Sequence, residues 1–147
     1  KRIYDLPHFL VDAGGSLCEL ENPAVIECLT ACSVMLFIET TDADEADLVE
    51  RARVSPKPLY YRADFFETHL ASYMEDQAHD YIAEIDPDDF VRWVFPKLFA
   101  SRMPRYHAIA AQHAYSVSTE DARAVRDETD FIDLICEAID RHDRAAP

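Results

Sequence analysis

Glycine is almost missing from this chain: 147 residues hold two, Gly14 and Gly15, side by side. Glycine-rich linkers and low-complexity tracts are thereby excluded, and no internal repeat is visible. Basic charge is also scarce, with 14 Lys and Arg against 29 Asp and Glu and a formal net charge of −15. Such a surface repels nucleic-acid phosphate, so no nucleic-acid partner is expected. The acids are dispersed along helical stretches rather than held in one block, the pattern of a solvated surface. Apolar runs are far too short to span a bilayer, so no membrane partner is expected. No charged segment followed by an apolar one opens the chain, so no secretory signal is visible and a cytoplasmic location is expected. None of the four cysteines, Cys18, Cys28, Cys32 and Cys136, forms a CxxC pair. No histidine lies within ten residues of Cys28 and Cys32, so buried free thiols are expected rather than a metal site. His107 and His113 are six apart, a poor metal spacing on a helix, and the six histidines are read as non-catalytic.

What is present is a globular composition, 49% hydrophobic and 29% charged, in a length that suits one domain spanning 1–147. The chain opens on Lys1 rather than Met, so a fragment or processed product is expected. "HFLVDA" is short, apolar and bounded by turn residues, which predicts a buried strand. "NPAVIECLTAC" has proline near its start and apolar residues at helical spacing. "SVMLFIETT" predicts a second buried strand. "DADEADLVERARV" opens with acids and closes with arginines, as a helix dipole favours. "PKPLYY" is an extended loop. Residues 64–102 are helical, with Asp86 an N-cap, Pro87 at the first helical position and a kink at Pro96. "HAIAA" continues as a short helix, "AYSV" is a short strand and "DFIDLICEAIDRH" an amphipathic closing helix. "YYRADFF" and Trp93 fall at helical spacing that suits a core better than a pocket. Alternation of buried strands and helices predicts an α/β fold, a parallel sheet of few strands with flanking helices. Three strands are few for a covered sheet, so the domain is expected to be partial.

The paired glycines then fall where the first strand ends. Glycine permits positive φ and lets a bound group approach the backbone. Ser16 is placed to cap the next helix, and exposed N–H groups there could hold an anion. An ordinary tight strand-to-helix turn accounts for the same residues.

In order, "FLVDAGGSLCEL", "SVMLFIET", "DLVERARVSPKPLYY", "LFASRMPRYHAIAAQHAYSVST" and "FIDLICEAI" resemble the C-terminal part of a shikimate-kinase-like P-loop kinase. In that family a strand leads into a glycine cluster, and an apolar strand follows. A helix ending in arginines, a lid with Arg-Pro-Leu, a helix ending in Arg-x-Pro-Leu-Tyr, a short strand and a last helix complete the order. Lys57 stands in place of the lid arginine, and "SRMPRY" stands where Arg-x-Pro-Leu-Tyr would be. The family's phosphate-gripping GxxxxGK[ST] is absent, and two glycines cannot hide it. It would belong to an N-terminal half on a longer chain or on another one.

The resemblance implies a set of roles. Asp12 would be the acid at the strand end that holds magnesium, directly or through water. Arg51, Arg53 and Lys57 would close over the transferred phosphoryl group. Gly14, Gly15, Ser16 and Arg102 would meet the acceptor, Arg102 through its planar fork. Ser118 and Thr119 would flank adenine. Residues 64–102, longer than the family's segment, would be a helical lid or insertion. The cofactors implied are ATP and Mg²⁺, the partners a nucleotide and a small hydroxyl acceptor. The reaction implied is phosphoryl transfer or ATP hydrolysis. A half-domain with a bare sheet edge is also expected to self-associate or to meet an N-terminal partner segment. The rival readings are a non-catalytic α/β binding module and an acidic nucleic-acid mimic.

Overall fold

The computed structural model describes residues 8–20 and 22–145. Helices α1 (Pro23–Cys32), α2 (Asp42–Val54), α3 (Ala63–Gln77), α4 (Pro87–His113), α5 (Thr119–Ala124) and α6 (Glu128–Ala145) surround two short strands, β1 (Leu36–Glu39) and β2 (Tyr115–Ser118). The fold is mixed α/β and mostly helical. The strands run parallel, pairing Leu36 with Tyr115 through Glu39 with Ser118, and α2, α3 and α4 form the crossover between them. Parallel strands need such a crossover, because a hairpin can join only antiparallel ones.

The helix starts are written in the sequence. Asn22 accepts from the Ala24 N–H ahead of Pro23. Thr41 and Asp44 form a reciprocal capping box on α2. Asp86 accepts from the N–H groups of Asp88 and Asp89, with Pro87 as the first helical residue. Each device satisfies N–H groups that have no partner within the helix.

Three expectations are corrected. Residues 8–13 form no strand, and Phe9, Leu10 and Val11 are 76%, 75% and 67% exposed. A strand exists only against a neighbour that takes its N–H and C=O groups, and among the described residues nothing pairs with this run. The sheet therefore has two strands, and β1, expected to be fully buried, leaves Ile38 48% exposed. Second, "HAIAA", expected as a short helix, is part of α4, which runs for 27 residues through Pro96 and Pro104, about 40 Å. Each proline removes one hydrogen bond. The buried stripe Phe90, Val94, Leu98 and Arg102, at four-residue spacing, runs across Pro96, and beyond Pro104 the helix is anchored by buried Ala110. Third, only Cys18 is buried, while Cys28, Cys32 and Cys136 are exposed thiols.

The core has two centres. Tyr73, Phe90 and Val94 join α3 to α4, with Tyr61, Phe65, Leu70, Ile85 and Trp93 packed around them. Tyr61, Phe65 and Trp93 thus pack on the core, as their spacing predicted, while Tyr60 and Phe66 of the same stretch are exposed. Val117, Leu134 and Ala138 join β2 to α6, backed by Leu36, Tyr115 and Val125. No described helix is long and apolar enough to cross a membrane.

Candidate functional site

Parallel sheets present their ligand-facing rim at the carboxyl ends of the strands. At that rim the Thr119 hydroxyl donates to the Glu39 carbonyl at 2.7 Å, tying the two strand ends together. Ser118 accepts from the Asp121 N–H at 3.0 Å and caps α5. Asp44 is buried beside them and pairs with Arg123 at 2.8 Å. Its carboxyl is lowered from the ordinary 3.8 to about 2, by hydrogen bonding from the Thr41 backbone first, then from the Thr41 and Thr119 hydroxyls, with Arg123 adding attraction.

That shift has a pH signature. A carboxyl whose folded value is depressed stabilises the fold above its unfolded value, and the contribution disappears as pH falls through the folded one. Asp44 therefore stops helping between about pH 4 and pH 2. We expect Asp44→Asn to lower the urea midpoint at pH 7, and the gap from the unaltered chain to close as pH drops to 2. A gap that stays constant over that window would disprove the assignment.

Asp12 and Gly14 meet each other. The Gly14 N–H donates to Asp12 Oδ1 at 2.9 Å, and Gly14 has φ +54°. A Cβ built on Gly14 would meet nothing within 4 Å, so conformation rather than close approach is what requires glycine here. Gly15 and Ser16 lie inside the 3₁₀ turn Gly14–Glu19. The helix after it is capped by Asn22 rather than by Ser16, because the turn intervenes. Arg51, Arg53 and Lys57 are exposed at and beyond the end of α2. Arg53 forks onto Glu50 with two contacts of 2.7 Å, and its carbonyl accepts from Arg92 Nε at 3.0 Å. Among the described residues no hydrogen bond or ion pair joins Asp12 to Arg51, Arg53, Lys57 or Arg102.

Arg102 is the predicted residue with the most developed surroundings. Its side chain is 10% exposed, and Nε donates to Glu19 Oε1 at 2.8 Å. A terminal nitrogen donates to the Tyr60 carbonyl at 2.7 Å. Arg105 donates to the other Glu19 oxygen at 2.8 Å, so one carboxylate bridges two guanidinium groups. The Tyr106 hydroxyl hydrogen-bonds the Cys18 thiol, and burial pushes both groups up from their ordinary values. The Tyr61 hydroxyl is buried and has no hydrogen-bond partner among the described residues; burial raises it, and the charge of Arg102 opposes that rise. Sequence reasoning missed Glu19 and Arg105. The available signal was Arg102 and Arg105 three apart, which puts two cations on one helix face.

A magnesium site needs few protein ligands, one or two carboxylates beside phosphate oxygens and water. Among the described residues no three His, Cys, Asp or Glu side chains are grouped for a metal. Asp12 could offer a single carboxylate, already accepting from Gly14, so these residues do not by themselves fit the ion. Two grooves, of about 440 Å³ between α5 and α6 and about 190 Å³ between α4 and α6, are lined by none of the predicted site residues. The chain matches no protein-family profile, no curated protein and no solved structure.

Proposed function

We propose that the chain is the C-terminal portion of an ATP-binding protein of the P-loop kinase class, acting on a small hydroxyl acceptor or hydrolysing ATP. The observation that carries the reading is the parallel β1–β2 pair, with helices α2 and α5 beginning at the carboxyl ends of the two strands. That rim is where nucleotides sit in open parallel sheets. In this reading 64–102 is the lid or insertion, Arg102 faces the acceptor, and the phosphate-gripping loop comes from outside the residues seen here. Mg²⁺ and ATP would be held chiefly by that other half.

The rival, a non-catalytic α/β binding module, draws support from saturation of the same groups. Arg102 is spent on Glu19, Asp12 on Gly14, Arg53 on Glu50 and Ser118 on a helix cap. Titration of the natural full-length protein with Mg-ATP separates the two. The kinase reading expects saturable heat, with affinity reduced about tenfold, or 1.4 kcal/mol, in Asp12→Ala. No heat, and no effect of that substitution, would leave the binding module.

A further inference from the structure

Arg102 and Arg105 bring two positive charges to one carboxylate, whose side chain is 4% exposed. The cluster keeps one uncompensated positive charge in a chain of formal charge −15. Arg105 is 44% exposed and opens the cluster to solvent. The carboxylate arrives on a short turn that packs on α4. That turn opens on the positive-φ Gly14 and follows a run, 8–13, without regular structure.

We propose that Glu19 is an internal plug: its carboxylate occupies an oxyanion site built by Arg102 and Arg105, and an external carboxylate or phosphate displaces it. This rests on the reading of Arg102 as an acceptor-binding residue and adds a gate to it. The exchange is physically accessible because charge stays paired throughout. Removing one partner of a buried ion pair strands a charge, whereas replacing one oxyanion by another does not. Two guanidinium groups grip a carboxylate or a phosphate through the same planar donors. The Gly14–Glu19 turn is the moving part, since Arg102 and Arg105 sit in the middle of a 27-residue helix.

The test uses no nucleotide, so its failure is distinct from failure of the ATP reading. Glu19→Gln and the unaltered protein are titrated with inorganic phosphate and, separately, with acetate. Affinity for at least one ion is expected to rise about tenfold or more in Glu19→Gln, a difference of at least 1.4 kcal/mol. The preferred ion identifies a phosphoryl or a carboxylate ligand. A folded Glu19→Gln that binds neither ion better than the unaltered protein overturns the proposal. Should that variant not fold, amide exchange decides on the unaltered protein. Saturating phosphate should speed exchange at residues 17–20, and Arg105→Ala should abolish the effect. Exchange unmoved by phosphate overturns the proposal equally.

Discussion

Replacing Arg102 by alanine is expected to cost about 3–5 kcal/mol of folding stability, the range for removing one partner of a buried ion pair. The size follows from what is left behind. Glu19 is 4% exposed and loses the 2.8 Å contact to Nε, and the Tyr60 carbonyl loses its 2.7 Å donor. Arg105 keeps its hold on the second oxygen, but its side chain is 44% exposed and water competes for it. Arg105→Ala should therefore cost less than about 1 kcal/mol, as partly solvated pairs do. Urea unfolding of both variants at neutral pH measures the contrast. Equal and small costs would mean that solvent screens the whole cluster, and the buried character assigned to Glu19 would be wrong.

That cluster also marks the boundary of what the sequence makes legible. Arg102 stood out because it sits in a segment similar to Arg-x-Pro-Leu-Tyr. Its partner did not, because Glu19 lies 83 residues away and no periodicity links a lone acid in "GSLCEL" to a helix that far along. Contacts set by tertiary folding leave no local pattern, whereas caps do. Asn22, Asp86 and Pro87 act within three residues of themselves, and the helices start where those residues say.

The strands divide in the same way. "SVMLFIETT" and "AYSV" became β1 and β2 because each found the other. "HFLVDA" has the same apolar character and no strand, because strand identity belongs to a pair and not to a run. The prolines of α4 show packing at work against local preference. Pro96 weakens the helix locally, and Val94, at 0% exposure, and Leu98, at 2%, anchor it on both sides. Burial of two such side chains, roughly 1.5–3 kcal/mol each, offsets the cost of an interior proline, about 3 kcal/mol from the lost hydrogen bond and the ring clash together.

Whether 64–102 behaves as a detachable lid is decided by a second large effect. Phe90 is buried, and its ring lies 5.3 Å from Tyr73, 5.9 Å from Phe66, 6.1 Å from Tyr61 and 6.3 Å from Trp93. Phe90→Ala removes the centre of that cluster and is expected to cost about 3–5 kcal/mol. The loss should appear as one cooperative transition. The same α4 that carries Phe90 carries Leu98, Arg102 and Ala110, so the aromatic end cannot melt without loosening the contact with Glu19. Trp93 fluorescence reports the aromatic end, and far-ultraviolet circular dichroism reports the helices as a whole. Coincident midpoints for the two probes in Phe90→Ala fit a single unit. If fluorescence is lost well before helicity, α4 divides near Pro96, and the aromatic hairpin is a separate module that opens independently of the sheet.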